Sequence, residues 1–476
     1  MTYNDLYIDG KWMPGAGGRR FDVVNPATED VLATVASADI ADANRALDSA
    51  CRAMMVWKEK PPRERAEVLR RAWELMNSRL SDFARLITLE NGKAEQDAMG
   101  EAVYAAEFFR WFAEEAVRIE GSLSRAPSSG ARILVDHRPA GISVLVTPWN
   151  YPAAMATRKI APALAAGCAV ILKPAAETPL TMLALMPLLE EAGVPNGLVN
   201  VLPTDSPGPL VEHLLNDPRV RVVSFTGSTD VGKLLLRSAS HQVLKPAMEL
   251  GGNAPFIVFE DASVDDAVNG AMQAKMRNIG EACTAANRFF VHENVATEFT
   301  AKFSERMASL KVGNGLQPES DVGPLVNAAT RDKVAHLVKD AVAKGAKIET
   351  GGKALDGPGY FYPPTVLSNV SADATCNAEE IFGPVAAIQT FTDEDAVIKS
   401  ANETEYGLVA YVYTGDMQRG LRVSEFLEFG MIGLNRGLVS DPAAPFGGMK
   451  QSGLGREGRR EGIQEFMETQ YISTEW

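Results

Sequence analysis

Cys283 is the residue of this sequence whose surroundings best suit covalent chemistry. It lies in the segment NIGEACTAANR at residues 278–288, where small side chains leave room for a substrate to reach the sulfur. Gly280 permits a backbone turn that other residues resist. An activated thiol attacks electrophilic carbon. From this segment alone, however, a buried core thiol is the favoured interpretation.

Glu249 and Asn150 are polar residues suited to assist a nucleophile. Glu249 stands in MELGGN at residues 248–253, just before a predicted strand, where a partly buried carboxylate acts as a general base. Asn150 stands in TPWNYP at residues 147–152, where its amide is able to stabilise an oxyanion. Taken singly, Glu249 is also explained as a surface acid at a turn, and Asn150 as part of a proline-bounded turn.

A third candidate is the segment GSTDVG at residues 227–232, which follows a predicted strand and opens a predicted helix. A glycine turn in this position exposes backbone N–H groups at the positive end of a helix, which suits a pyrophosphate. The usual GxGxxG fingerprint is absent, so an ordinary tight turn without a ligand remains the alternative interpretation.

The elements that must position these residues alternate between strands and helices. The first third is rich in helical patterns, at residues 43–57, 64–90 and 101–119, and residues 131–135 form a predicted strand. Short apolar runs at 143–146, 169–172, 198–202, 220–225 and 255–259 predict a parallel sheet covered by helices. The runs at 289–291, 386–390, 409–413 and 432–434 predict a second α/β domain.

Composition excludes several classes of function. The 476 residues carry a net charge of -14, which argues against nucleic acid or an anionic membrane as the main partner. The four cysteines are scattered, which predicts neither a metal site nor a disulfide framework. Neither a signal peptide nor a membrane-spanning stretch is evident, so a cytoplasmic protein with free thiols is expected.

Taken together and in order, these segments resemble the aldehyde dehydrogenase superfamily over nearly the whole chain. The matching motifs are PWNYP at 148–152, KPAAETP at 173–179, FTGS at 225–228, ELGGN at 249–253, the Cys283 segment, EIFGP at 380–384 and PFGG at 445–448. The resemblance implies an α/β fold with a Rossmann-like cofactor domain at residues 1–118 and 138–250 and an α/β catalytic domain at 251–455. A small β oligomerisation element would comprise residues 119–137 and 456–476, in a homodimer or homotetramer.

The resemblance also implies a role for each motif. Cys283 would attack the aldehyde, Asn150 would hold the oxyanion, and Glu249 would activate the water that releases the acid. Binding of NADP or NAD would involve Trp149, Lys173, Ala176, Gly227, Ser228, Gly232, Glu380 and Phe382. NAD-preferring members often carry glutamate where Ala176 stands. Its absence, together with the charge of Lys173, indicates a preference for NADP.

Three further matches resemble succinate-semialdehyde dehydrogenases within this superfamily, namely Arg158, Arg277 and Ser440. They imply a pocket for the distal carboxylate of a small aldehyde, and guanidinium groups suit a carboxylate. Structural salt bridges are the alternative explanation for the arginines. If Arg436 reaches the mouth of the pocket, semialdehydes of glutarate, 2-oxoglutarate or a sulfonate become alternatives. Ala285 replaces a second cysteine that many relatives carry, which excludes a disulfide switch there.

Two other classes of protein compete with this prediction. A cofactor-free thiol hydrolase also uses an activated cysteine, but it needs a partner histidine. None of the five histidines stands in a recognisable catalytic context. A silent binding protein on the same scaffold would be expected to lose Cys283, Glu249 or Asn150, and all three are present.

Overall fold

The computed structural model describes residues 3–476. The N-terminal part contains β1 (Leu6–Ile8), β2 (Lys11–Met13), β3 (Arg20–Val24), β4 (Val31–Ala36), α1 (Ile40–Trp57), α2 (Pro62–Asn77), α3 (Leu80–Asn91) and α4 (Glu95–Ala116). There follow β5 (Ser122–Arg125), β6 (Arg132–Pro139), β7 (Ile142–Val146), α5 (Pro152–Ala166), β8 (Val170–Lys173), α6 (Leu180–Ala192), β9 (Val199–Val201), α7 (Pro207–Asn216), β10 (Val220–Thr226), α8 (Thr229–Ser240) and β11 (Lys245–Glu249).

The C-terminal half of the chain begins with β12 (Ala254–Val258), α9 (Val264–Met276), β13 (Ala286–His292), α10 (Glu293–Ala308), α11 (Ala328–Ala343), β14 (Lys347–Thr350), β15 (Thr365–Ser368) and α12 (Thr375–Ala378). It continues with β16 (Val385–Phe391), α13 (Glu394–Asn402), β17 (Val409–Tyr413), α14 (Met417–Phe426), β18 (Met431–Leu434), β19 (Gly453–Leu454), α15 (Arg459–Gln464) and β20 (Met467–Thr474). Short 3-10 helices lie at Arg277–Gly280 and Lys450–Ser452.

The first large sheet has eight strands in the order β19-β11-β10-β7-β8-β9-β1-β2. Its five central strands are parallel, while β19, β1 and β2 join antiparallel at the edges. All residues of β7 and β8 are buried, as expected for strands covered on both faces. The parallel sheet that the apolar runs predict is confirmed, and so is the Rossmann-like fold that the resemblance implies.

The second large sheet has seven strands in the order β14-β15-β16-β13-β12-β17-β18, all parallel except β14. It corresponds to the predicted second α/β unit. A separate sheet of β20, β6 and β5 is antiparallel, and most residues of β20 and all of β5 are exposed. Within residues 3–476 no helix is both long enough and apolar enough to cross a bilayer.

One predicted helix is divided in the structure. The helical pattern over residues 64–90 predicts a single helix, but α2 ends at Asn77 and α3 begins at Leu80. Asn77 Nδ2 donates to the Trp73 carbonyl at 2.9 Å, and Ser78 Oγ donates to the Leu75 carbonyl at 2.7 Å. Such side chains compete with the helical backbone, which explains the break. α3 ends at Asn91 and is followed by Gly92, whose φ of 95° is left-handed.

Candidate active site

Cys283 lies in the loop between α9 and β13, directly after an unusual backbone turn. Asn278, Ile279 and Gly280 have positive φ angles of 51°, 55° and 80°. A Cβ atom on Gly280 would lie 2.3 Å from the carbonyl oxygen of Gly383, so only glycine fits there. Left-handed conformations are costly for residues with side chains and concentrate at functional sites. The Cys283 side chain remains partly exposed although its neighbours are buried.

Two cavities meet at Cys283. The larger has a volume of about 240 Å³ and is lined by Pro148, Trp149, Asn150, Thr226, Gly227, Ser228, Leu250, Gly251, Cys283, Thr330, Lys333, Glu380 and Phe382. The smaller has a volume of about 20 Å³ and is lined by Tyr104, Asn150, Tyr151, Met155, Arg158, Arg277, Ala282, Cys283, Thr284, Ser440 and Phe446. Asn150 and Cys283 line both, so molecules bound in the two cavities would meet beside the sulfur.

The Asn150 side chain is fixed beside the Cys283 loop. Its Nδ2 atom donates a hydrogen bond of 3.0 Å to the carbonyl oxygen of Glu281. An amide nitrogen carries two hydrogens, so one N–H remains for an oxyanion formed next to the sulfur. The predicted oxyanion role stays a prediction, and this placement favours it.

Glu249 ends β11 in a buried position, with 3% of its surface exposed. Its Oε2 atom has no hydrogen-bond partner within residues 3–476. Burial, followed by the charge of Glu457, holds the pKa of Glu249 well above its ordinary range. A Cβ atom on Gly447 would lie 3.0 Å from Glu249 Oε1, so glycine leaves space beside the carboxylate. These properties suit the predicted general base, since its pKa must lie near the working pH.

The Cys283 thiol is mostly protonated at neutral pH. Burial, followed by repulsion from Glu380, raises its pKa to about 12, and Arg158 opposes this shift. A free cysteine has a pKa of about 8.5, so the thiolate is scarcer here than in water. The nucleophile therefore needs a proton acceptor when it attacks. The charge of Glu249 also raises the pKa of the thiol.

The far wall of the larger cavity combines aromatic and acidic side chains. The rings of Trp149 and Phe382 meet edge to face, with their centroids 5.3 Å apart. Phe382 has a φ of 54°, a strained conformation for an aromatic residue. Glu380 Oε1 accepts a hydrogen bond of 3.1 Å from the Gly252 N–H, and burial raises the pKa of Glu380 to about 7. These residues thus offer aromatic apolar surface and one acceptor, which fits a nicotinamide riboside.

The lining of this cavity also includes residues at the start of α8. Gly227 and Ser228 line the cavity, and Ser228 caps the helix by accepting a hydrogen bond from the Val231 N–H. Thr226 Oγ1, in the same wall, is buried without a hydrogen-bond partner among the described residues. A helix N-terminus beside an unsatisfied hydroxyl fits the phosphates of a dinucleotide.

Three predicted cofactor residues do not line this cavity. A Cβ atom on Gly232 would lie 2.5 Å from Leu250 Cδ2, so Gly232 allows α8 to pack closely on the sheet. Lys173 ends β8, and burial lowers its pKa to about 8, against the attraction of Glu177. Ala176 lies in the loop that follows. Lys173 nevertheless lies at the same carboxyl edge of the sheet as the start of α8, where such sheets bind nucleotides.

Comparison with known proteins identifies this arrangement. The model of the aldehyde dehydrogenase family matches residues 12–472. The chain belongs to the aldehyde dehydrogenase family. It is 56% identical to a succinate-semialdehyde dehydrogenase of Paenarthrobacter nicotinovorans, over 93% of this chain and 98% of that protein. A glutarate-semialdehyde dehydrogenase of Pseudomonas putida is 46% identical over 98% of this chain and 96% of its own length.

Solved structures agree with this assignment. The crystal structure of an E. coli NADP-dependent enzyme superposes with a TM-score of 0.98 at 44% identity, covering 100% of this chain and 98% of that one. The predictions of an aldehyde dehydrogenase fold and of an oxidoreductase acting on aldehydes are confirmed.

The smaller cavity of this aldehyde dehydrogenase brings together Arg158, Arg277 and Ser440, as the sequence predicted. Arg158 is 2% exposed and forms an ion pair with Glu457, with Nε 2.6 Å from Oε2. Arg277 has no acidic partner within 4.0 Å in the described part of the chain. Its guanidinium lies near the ring of Tyr151, 5.2 Å from the centroid. The structural salt bridge considered for both arginines therefore exists for only one of them.

Arg436 does not reach this pocket. It lines a separate surface pocket of about 470 Å³ together with Asn269, Gln273 and Tyr413. The condition under which Arg436 would favour longer or more strongly charged aldehydes is therefore not met in this structure.

Sequence reasoning missed several residues of the aldehyde dehydrogenase site. Glu457 lies between Arg158 and Lys159, and its Oε1 atom accepts from Lys159 Nζ at 2.5 Å. Phe446 lies against the Arg158 guanidinium, 4.1 Å from the ring centroid. Phe446 stands in the recognised PFGG motif, but only the folded chain reveals that Phe446 and Glu457 contact Arg158.

Proposed function

We propose that this aldehyde dehydrogenase oxidises succinate semialdehyde to succinate, with NADP as the preferred cofactor. The proposal depends above all on the smaller cavity beside Cys283, which Arg158, Arg277 and Ser440 line. A carboxylate is costly to bury unless guanidinium groups and hydroxyls receive it. An aldehyde with a carboxylate at its other end would span this pocket and present its carbonyl to the sulfur.

The residues of the site divide the reaction between them. The Cys283 sulfur forms a bond to the aldehyde carbon, the carbonyl electron pair moves to oxygen, and Glu249 accepts the thiol proton. The side-chain N–H of Asn150 and the backbone N–H of Cys283 stabilise the resulting oxyanion. The nicotinamide, when bound, supplies the hydride acceptor that aldehyde oxidation requires. After releasing the thiol proton to solvent, Glu249 activates the water that releases the acid from the Cys283 thioester.

Other anionic aldehydes have weaker support, since a succinate-semialdehyde dehydrogenase is 56% identical to this chain and a glutarate-semialdehyde dehydrogenase is 46% identical. A cofactor-free thiol hydrolase fits poorly too, because no histidine is present among the residues that line either cavity.

The proposed preference for NADP is supported by the residues at the end of β8 and in the loop after it. Ala176 carries no carboxylate to repel a 2′-phosphate, and the buried ammonium of Lys173 attracts one. Glu177 is adjacent and half-buried, and it offsets part of this attraction. The similar E. coli structure is also that of an NADP-dependent enzyme.

Assembly and domain limits form part of the same proposal. The sheet of β20, β6 and β5 has exposed strands, and an uncovered sheet edge favours pairing with another chain. We therefore expect a homodimer or homotetramer through residues 119–137 and 456–476. Light scattering in solution measures this oligomeric state.

We also propose limits for the two large domains. The cofactor domain would comprise residues 1–118 and 138–250, of which residues 1 and 2 lie outside the described part. The catalytic domain would comprise residues 251–455. A cytoplasmic location is proposed as well.

Steady-state kinetics with an aldehyde panel test the proposed substrate. Succinate semialdehyde, glutarate semialdehyde and neutral butyraldehyde are compared with NADP and with NAD. We expect the highest kcat/KM for succinate semialdehyde with NADP. Equal kcat/KM values for butyraldehyde and succinate semialdehyde would refute the carboxylate pocket, and a preference for glutarate semialdehyde would refute the assignment by length.

A further inference from the structure

Lys93 is a buried cation that lies outside both cavities. It is 1% exposed and pairs with Glu101, with Nζ 2.5 Å from Oε2. Neither residue lines the space around Cys283. A buried ion pair is costly to desolvate, so its presence calls for an explanation other than stability.

The Lys93 ammonium contacts the backbone of the predicted oxyanion residue. Nζ donates a second hydrogen bond, of 2.7 Å, to the carbonyl oxygen of Asn150. It also lies over the ring of Tyr151, 4.1 Å from the centroid. The backbone of Lys93 is itself fixed, because a Cβ atom on Gly315 would lie 2.4 Å from the Lys93 carbonyl oxygen. The loop at Gly315 therefore packs directly on this segment.

Glu101 fixes the other end of the same segment. Its Oε1 atom accepts hydrogen bonds from the N–H groups of Ala153 and Ala154, at 2.8 and 3.2 Å. These groups belong to the first turn of α5, which has no cap from its own N-cap side chain. Glu101 thus supplies the missing cap from α4, and one ion pair restrains residues 150–154 at both ends.

Asn278 links the segment restrained by Lys93 and Glu101 to the loop that carries Cys283. Its Nδ2 atom donates to the carbonyl oxygens of Asn150, at 2.9 Å, and Glu281, at 3.0 Å. The Glu281 oxygen also accepts from Asn150 Nδ2 at 3.0 Å. The distance between the oxyanion amide and the Cys283 loop is therefore set by three shared hydrogen bonds. The left-handed turn at Asn278 is what aims its side chain at both carbonyls.

We infer that Lys93, together with Glu101 and Asn278, positions Asn150 for oxyanion stabilisation. This inference rests on the proposed function. Lys93 is a positioning residue, since it acts on the reaction through Asn150 and touches neither cavity. Preorganised donors stabilise an oxyanion because no reorganisation is needed when the charge forms. Releasing the Asn150 backbone would therefore slow acylation without changing the thiol.

A double-mutant cycle with Asn150→Ala tests this coupling. The starting variant is Lys93→Met/Glu101→Gln, which removes both buried charges and leaves neither unpaired. The measured quantities are the burst rate of reduced nicotinamide in single turnover, the KM for the aldehyde, and the rate at which iodoacetamide alkylates Cys283. We expect the burst to slow at least about tenfold, since losing an entire oxyanion donor costs about a hundredfold or more. The KM and the alkylation rate should change less than about twofold.

The decisive comparison is made in the Asn150→Ala background. There the same double substitution should change the burst rate less than about twofold, because the Asn150 amide that it would displace is already absent. Equal effects in both backgrounds would overturn the inference, and so would an unchanged burst in the Asn150 background. Asn278→Gly gives a second, independent route, since it keeps the ion pair and suits the positive φ. It too should slow the burst only when Asn150 is present.

The wild-type enzyme separates this inference from the proposed function. If wild-type protein oxidises no aldehyde, the proposed function is wrong and the inference falls with it. If wild-type protein gives a normal burst and the cycle is additive, only the positioning role of Lys93 is wrong.

Discussion

Arg158 Nε lies 2.6 Å from Glu457 Oε2, so one of the two arginines beside Cys283 is already paired with a carboxylate. Arg277 has no such partner among residues 3–476 and keeps its charge for a ligand. A paired guanidinium offers less to an incoming carboxylate than a free one. The two arginines of the pocket are therefore expected to contribute unequally to substrate binding.

Substitution of the two arginines should reveal this inequality. Arg277→Ala should lower kcat/KM for succinate semialdehyde by about a hundredfold, since charge-assisted hydrogen bonds contribute about 1.5–3 kcal/mol each. Its kcat/KM for butyraldehyde should change little. Arg158→Ala should affect both aldehydes, because it leaves the buried Glu457 carboxylate with less compensation and disturbs the packing against Phe446.

Arg436→Ala is the matched control, since Arg436 is an exposed arginine in a separate pocket. It should leave kcat/KM unchanged for both aldehydes. A loss confined to succinate semialdehyde in Arg436→Ala, or equal losses for both aldehydes in Arg277→Ala, would contradict the pocket.

Glu249→Gln should separate acylation from release of the acid. Glutamine has no carboxylate to activate water, so the thioester would persist. Stopped-flow absorbance should show a burst of reduced nicotinamide that forms more slowly than in the wild type, because the thiol has lost its proton acceptor, followed by steady-state turnover at least about a hundredfold slower than in the wild type. Cys283→Ala should give neither phase, and Cys376→Ala, which alters a buried cysteine outside both cavities, should give both. Wild-type turnover in Glu249→Gln would exclude this role.

Glu380→Gln should make the Cys283 thiol more reactive when no cofactor is bound. Repulsion from Glu380 is the largest charge effect that raises the pKa of Cys283, so its removal lowers that pKa and increases the thiolate fraction. The pKa of Glu380 is about 7, so the effect should be present at pH 8.5 and vanish near pH 5.5, where Glu380 is already neutral. Alkylation by iodoacetamide measures it.

Glu379→Gln provides the control, because Glu379 is the exposed neighbour of Glu380. It should leave the alkylation rate at the wild-type value at both pH values. An acceleration of equal size in the two variants would show that general surface charge, and not the Glu380 carboxylate, acts on Cys283.

Ala176→Glu should reverse the cofactor preference. A carboxylate at this position would repel a 2′-phosphate and accept hydrogen bonds from a 2′-hydroxyl. The ratio of kcat/KM for NADP to that for NAD should fall by about tenfold or more, because one like-charge contact of about 1–2 kcal/mol has that effect. Glu177→Ala should raise the same ratio. A wild-type ratio that strongly favours NAD would reverse the proposal before either variant is made.

The sequence predicted the central strands well because they are continuous apolar runs in a covered parallel sheet. Val409–Tyr413 matches the observed strand at both ends. The first two N-terminal strands were missed because β1 and β2 have only three residues each. Their connection, Asp9-Gly10, has positive φ at both residues. That dipeptide is a hairpin signal that could have been used.

The candidate site likewise contains some residues that the sequence predicted and others that it missed. Cys283, Asn150 and Arg277 were predicted only because several motifs occur together and in order along the chain, and the structure brings the three residues to one cavity. Lys93 contacts Asn150, which is 57 residues away in the sequence, and Glu457 contacts Arg158, which is 299 residues away. No local pattern reveals such pairings, because they depend on how helices from distant parts of the chain pack.

Mass spectrometry of the trapped enzyme tests the central claim most directly. Glu249→Gln is mixed with succinate semialdehyde and NADP, quenched in acid and digested. The account predicts a succinyl group on the peptide that contains Cys283, formed in step with reduced nicotinamide and absent without the cofactor. Reduced nicotinamide that appears while Cys283 stays unmodified, or a succinyl group on another residue, would contradict it.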